Sequence, residues 1–403
     1  MNRKKLLPVA AKTRGCRISG VSIAISITIC LLLPVGCGSD NTQTEKPGAD
    51  PLAQASADAL TPDPGADEAV QDSGDAPDEA AKDPGDAPDE QQDEGEKAKK
   101  EEKGHFSFQP VVISSVFREI MGEDMCEAYR NYVDAALKGE NEFAVKDEET
   151  YDWMIGQFPG VCFPVLEEYT ESDYASAYHD GKATFHYTIP QSEFAQKEAE
   201  FEDIVTGILN ETMRDDYSEL EKVIALYEYF CTKYTYDYEV YAEMGERYVE
   251  ETSAYRFLTT DQGICSECAP AFSYLLLQAG VDATTAGGNC PINGEGHVWS
   301  YVTIGGKNYH VDPTYGMESG VCLSYFMMTD EQREKEDEYQ KDEMCVGSHY
   351  KDEHNGDQYD ADDDSFAPLW GGYLTSWDPE KNLICYIDKS GKEAVFNYSF
   401  FEQ

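Results

Sequence analysis

Apolar residues fall into distinct regimes along the chain. A nearly continuous apolar run from Ile18 to Leu33 is followed, from Gly38 to Gly104, by a stretch with no aromatic residue and no helical or strand period. Patterned sequence begins at Phe106. Val116, Ile120, Cys126 and Tyr129 recur at helical spacing, and Ala183 to Ile189 reads as a strand that stops at Pro190. Ser218 followed by Glu221 is a capping box, and Leu220, Val223, Ile224, Tyr227 and Cys231 then trace one helical apolar face. A second, more apolar helix follows Cys265 through Ala271, Phe272, Tyr274, Leu275, Leu276 and Leu277 and ends at Ala279-Gly280. Tyr301 to Ile304 predicts a strand, Gly305-Gly306 a hairpin turn, and Tyr309 to Asp312 a return strand closed by Pro313. Near the end, Leu383–Ile387, Ser390-Gly391 and Ala394–Phe396 predict a strand, a turn and a strand.

Composition sharpens this division. The formal net charge is −48, from 31 Lys and Arg against 79 Asp and Glu, which excludes nucleic acid as a partner because phosphates would be repelled. The unpatterned tract is itself acidic, and within it Gly74-Asp75-Ala76-Pro77-Asp78-Glu79 recurs from Gly85 to Glu90; residues 38–104 are expected to be a disordered, self-repelling tether. Basic residues Arg3, Lys4, Lys5, Lys12, Arg14 and Arg17 precede the apolar run, which ends Leu33-Pro34-Val35-Gly36-Cys37. Residues 1–37 therefore read as an export signal. Cys37 after a small residue resembles a bacterial lipobox, with acylation at Cys37, membrane anchoring through that lipid and an extracellular location as the expectation. A retained transmembrane anchor is the alternative. Nine of the 12 cysteines follow Cys37, an odd number that fits one free thiol and four disulfides. The remaining divisions expected are a mixed α and β region over 105–216, a core over 217–330, and a charged segment with a β extension over 331–403.

The chemistry concentrates between Ser253 and Gly316. Gly263-Ile264-Cys265 places Cys265 at the start of an apolar helix, where backbone N–H groups and the helix dipole favour a thiolate and can stabilise an oxyanion. Gly294-Glu295-Gly296-His297-Val298-Trp299 leads into the first hairpin strand, and Asp312 ends the second. An antiparallel pairing about Gly305-Gly306 brings His297 and Asp312 to the same end. His297 can then act on Cys265 as base while Asp312 fixes its tautomer. Trp299 and Cys268 are the residues expected beside the nucleophile on the pocket wall, Trp299 more as packing than as a substrate contact.

Several pieces together resemble the transglutaminase-like superfamily in its bacterial extracellular branch: Ser253-Ala254-Tyr255, Gly263-Ile264-Cys265, Ala269-x-Ala271-Phe272, Leu276 to Gly280, His297-x-Trp299 and Tyr309-x-Val311-Asp312-Pro313-Thr314. The resemblance spans about Tyr217 to Asp330. It implies an α+β, papain-like core with the nucleophile helix packed on an antiparallel sheet. It also implies attack on a protein or peptide carboxamide through a thioester, resolved by an amine acceptor or by water; no cofactor is expected, since no calcium loop is found in this sequence. Pro270 in the nucleophile helix and Cys268, at a position often aromatic in relatives, depart from the family pattern. A surface binding or scaffold module that has lost activity is the rival reading. Cys265-Ser266-Glu267-Cys268 also reads as C-x-x-C, but no βαβ unit surrounds it and no second pair completes a zinc site. Asp360 to Asp364 lacks the spaced ligands and glycine of a calcium loop. His310 is the histidine most readily mistaken for the base.

Overall fold

The computed structural model describes residues 105–156, 163–172, 177–244, 252–317, 320–337, 339–341, 343–344 and 359–401. The export signal, Cys37, the acidic tether and two of the nine downstream cysteines, Cys162 and Cys345, lie outside the described residues. Among the described residues no helix is long and apolar enough to cross a membrane.

The leading region opens with α1 (Ser115–Met121) and α2 (Glu123–Leu137), the first capped by the Ser114 hydroxyl, which accepts the Phe117 amide at 3.0 Å. A three-stranded antiparallel sheet follows, in the order β1 (Glu142–Ala144), β4 (Lys182–Thr184), β3 (Tyr178–His179). Helices α3 (Glu148–Gly156) and α4 (Pro164–Tyr169) intervene in the chain, and β2 (Thr170–Glu171) pairs with β5 (His186–Tyr187). The strand expected over Ala183 to Ile189 is thus split. Its break is Phe185, whose amide donates to Asn141 O at 3.0 Å while its ring packs wholly buried against Tyr132, and the chain changes pairing partner there. Pro190 then serves as N-cap of α5 (Gln191–Thr212), a 22-residue helix burying Phe194, Phe201, Val205, Ile208 and Leu209.

The capping box at α6 (Glu219–Lys233) is present in both directions: Ser218 N–H donates to Glu221 Oε2 at 2.8 Å, and Glu221 N–H to Ser218 Oγ at 3.3 Å. Leu220, Val223, Ile224, Tyr227 and Cys231 are all buried, as their spacing predicts. After β6 (Thr235–Tyr236), α7 (Tyr238–Met244), α8 (Ala254–Thr260) and β7 (Gln262–Gly263), α9 (Cys265–Gln278) packs across the central sheet. That antiparallel sheet has the order β10 (Lys307–Val311), β9 (Gly296–Ile304), β8 (Asp282–Asn289), β11 (Glu343–Met344). A helix laid on this sheet is the expected α+β core. Gly305 and Gly306, at φ 58° and 74°, make the β9–β10 turn in the left-handed backbone region that a two-residue hairpin demands. Pro270 lies in the second turn of α9, which continues through it.

Two short helices follow β10: α10 (Pro313–Gly316) and α11 (Asp330–Asp337). The C-terminal extension is a three-stranded sheet, β12 (Tyr373–Asp378), β13 (Leu383–Ile387) and β14 (Glu393–Asn397), in which the expected hairpin is joined by β12. Side chains tie it to α6: Trp377 Nε1 donates to Glu228 Oε2 at 2.9 Å and Tyr398 OH to Glu221 Oε1 at 3.0 Å.

Candidate active site

The N-terminus of α9 is fixed from beneath. Glu267, fully buried, accepts the Ile264 amide at 3.0 Å and the Ser253 amide at 3.3 Å, and both its oxygens receive Arg256 Nη1, at 2.8 and 2.9 Å. Arg256 Nη2 also binds the Asp237 carboxylate at the exit of α6 and β6. Burial holds the Glu267 carboxyl above its ordinary range against the opposing pull of Arg256. Gly263, paired with Tyr236 across the short parallel β6–β7 ladder, has no room for a side chain: a Cβ there would meet Phe257 Cδ2 at 2.6 Å and Glu267 Oε2 at 2.9 Å. Glu267 and Cys268 donate their amides to Ile264 O, so the Cys265 and Ser266 amides remain at the helix start with no acceptor among the described residues. The half-buried Cys265 thiol stands at that point.

His297 is the second residue of β9, buried, and near enough to Cys265 for the two to interact electrostatically. The β9–β10 register sets Val311 opposite Ser300, so Asp312 leaves the strand one residue later and its side chain reaches back diagonally to His297. His297 Nε2 and Asp312 Oδ2 are 2.7 Å apart, which leaves Nδ1 as the ring nitrogen that Asp312 does not hold. Asp312, wholly buried, is also the N-cap of α10, its Oδ1 accepting the Thr314 amide at 3.2 Å. The three residues predicted from the sequence are therefore brought together. Burial alone would lower the basicity of His297, but the Asp312 carboxylate and the Cys265 sulfur outweigh it and raise its pKa to about 9. Asp312 shows the opposite balance: burial pushes its carboxyl up, and His297 and Arg333 together hold it below the usual range.

Arg333 is the residue that pattern reading missed. It lies on α11, in the segment expected to be merely charged, yet it is only 1% exposed and its Nη1 donates to Asp312 Oδ2 at 2.7 Å. Its guanidinium carbon is 5.1 Å from the ring centre of Trp299, 5.5 Å from Tyr339, 5.7 Å from Tyr315 and 5.8 Å from Tyr325. Asp-Glu-Gln-Arg-Glu-Lys-Glu-Asp offers no apolar period that would place one of its side chains inside.

Trp299 and Cys268 do not present a wall to solvent. Trp299 is fully buried, its ring centre 5.8 Å from that of His297, and its Nε1–H donates to His310 Nδ1 at 2.8 Å. Cys268, one turn along α9, is likewise fully buried, and burial pushes its thiol well above the ordinary range. His310 is a buried strand residue whose second nitrogen, Nε2, pairs with Asp330 Oδ1 at 2.8 Å; both nitrogens are thereby occupied, away from Cys265. Burial depresses its pKa to about 4. On the accessible side, the half-buried Tyr236 lies near Cys265 and contacts the rings of the exposed Tyr238 and Tyr241, and Tyr241 OH donates to Glu295 Oε1 at 2.7 Å.

Cys126, Cys231, Cys265, Cys268, Cys290 and Cys385 are free thiols, which corrects the count of four disulfides. Within the acidic run, Asp363 caps the 3-10 turn Asp364–Leu369 and pairs with Lys307.

Residues 206–313 match the model of the transglutaminase-like superfamily. No curated protein matches the chain. Similar solved structures include a candidate cysteine protease from Cytophaga hutchinsonii, at 22% identity over 24% of this chain and 32% of that one, with a TM-score of 0.20. Another is a TGase, at 20% identity over 32% of this chain and 34% of that one, with a TM-score of 0.25. The chain thus spans about a third of the length of each. The matched span contains the Cys265, His297 and Asp312 contexts, and over residues 206–313 the chain is similar to the transglutaminase-like superfamily.

Proposed function

We propose that this chain is a thiol enzyme that acts on carboxamide or peptide bonds of proteins or peptides through a thioester on Cys265. In this reading the Cys265 sulfur attacks the carbonyl carbon, and its proton resides on His297 Nδ1. The developing oxyanion faces the Cys265 and Ser266 amides at the start of α9. When the tetrahedral intermediate collapses, the C–N bond breaks and His297 returns the proton to the leaving amine. A second amine, or water, then attacks the thioester with His297 as base, giving transamidation or hydrolysis. Asp312 keeps Nε2 protonated and balances the imidazolium.

The observation that carries this reading is the 2.7 Å contact between His297 Nε2 and Asp312, which leaves the other ring nitrogen available to a thiol at a helix N-terminus. The free state of Cys265 supports it over a non-catalytic surface module, for which a disulfide-bound Cys265 would speak. The Ile18–Leu33 run and Cys37 support a location at the extracellular face of the cell membrane, anchored by lipid. The test is incorporation of a fluorescent primary amine into a glutamine-containing peptide, alongside hydrolysis of the same peptide. Turnover abolished by Cys265→Ala is expected; absence of both activities, or turnover that survives Cys265→Ala, would contradict the reading.

A further inference from the structure

Asp312 receives two donors on one oxygen. His297 Nε2 and Arg333 Nη1 each lie 2.7 Å from Oδ2, and the carboxylate between them has no exposure to solvent. We propose that Arg333 is a positioning residue of this site, holding Asp312 ionised and setting the pH at which His297 gives up its proton. The proposal rests on the Cys265–His297–Asp312 reading above.

A guanidinium stays charged at every pH the protein meets, so its contact keeps Asp312 a carboxylate where burial alone would favour the acid. An unpaired buried arginine is strongly disfavoured. Here its charge is met by Asp312 and by the faces of Trp299, Tyr315, Tyr325 and Tyr339, so the side chain is held from several elements at once. Charge counting gives the consequence. With Arg333 the four groups sum to zero, both as thiol with neutral imidazole and as thiolate with imidazolium. Without it, with Asp312 kept ionised by His297, they sum to −1 in either state, and a buried negative site binds the His297 proton more tightly.

Among the described residues, the other titratable groups facing this cluster are phenols and thiols. Tyr227 and Cys231 come from α6, Cys268 from α9 and Tyr315 from α10, with Tyr325, Tyr339 and, near the sulfur, Tyr236 completing the surroundings. Beyond Trp299, Asp330 and Lys341 pair with each other beside a neutral His310, so that cluster adds no net charge.

The test follows the isotope-labelled His297 imidazole by NMR across neutral and alkaline pH in the full-length chain, with Cys265 alkylation by iodoacetamide in parallel. In Arg333→Gln and Arg333→Met the His297 midpoint is expected to rise by about one pH unit or more, while Arg333→Lys, which keeps the charge, stays with the wild type. An unmoved midpoint in the folded neutral variants would overturn the proposal. So would failure of both neutral variants to fold by circular dichroism, since Arg333 would then belong to the scaffold. A wild-type Cys265 that resists alkylation at neutral pH would instead sink the underlying catalytic reading.

Discussion

At the scale of single residues, Asp312 carries the heaviest load. It binds His297, Arg333 and the Thr314 amide from a fully buried position. Asp312→Asn preserves the shape but offers one acceptor oxygen where two charged partners compete, so His297 loses its imposed tautomer. The expected outcome is a drop of roughly 10³–10⁴-fold in acylation rate, measured by single-turnover kinetics with the folded variant. A loss of less than tenfold would show that Asp312 only caps α10. Cys265, His297 and Asp312 were legible because each stands next to a backbone signal: a glycine before a helix, a glycine-rich entry to a strand, an Asp-Pro exit from one. Arg333 was not, because burial of a charged side chain leaves no period in a segment without apolar residues. Trp299 was read as packing beside the site and is fully buried, whereas the depth of Cys268 was not legible, since adjacency in sequence does not report which side of α9 faces water.

At the scale of elements, the position of the nucleophile depends on how α8, β7 and α9 fit together. Phe257 cannot retreat from an added Cβ at Gly263, because it is fully buried and its ring stacks on those of Phe230, at 5.5 Å, and Tyr234, at 4.4 Å. Gly263→Ala is therefore expected to destabilise the fold by about 1–3 kcal/mol, read as a lower urea midpoint at unchanged slope. An unaltered midpoint would mean that β7 shifts freely and that the Glu267–Arg256–Asp237 network is not a fixed base for the helix. Elements with a strong apolar period, α6 and α9, were predictable almost to their ends. The β8 strand was not: Asp282-Ala-Thr-Thr-Ala-Gly-Gly-Asn has no large apolar residue, and it is buried because small side chains let α9 approach the sheet closely. The α5 helix escaped for a related reason, its five buried apolar residues being spread over 22 positions among acidic ones.

At the scale of the whole molecule, two buried histidines bend stability in opposite directions. His297 has its pKa raised to about 9, so its contribution is complete below its unfolded value near 6.5 and is lost as pH rises through 9. His310 has its pKa lowered to about 4, so the unfolded chain binds the extra proton first, and stability falls as pH drops from 6.5 toward 4. Each effect amounts to about 3 kcal/mol at its limit. Thermal stability of the full-length chain should peak near pH 6.5, with His310→Gln flattening the acid side and His297→Ala the alkaline side. A midpoint that climbs steadily from neutral to alkaline pH would contradict this assignment. The central claim, that Cys265 is an activated nucleophile, is tested most directly by its rate of alkylation with iodoacetamide across pH, with the modified peptide mapped. The expected result is fast modification of Cys265 at or below neutral pH, lost in His297→Ala; a Cys265 that reacts only after unfolding would contradict it.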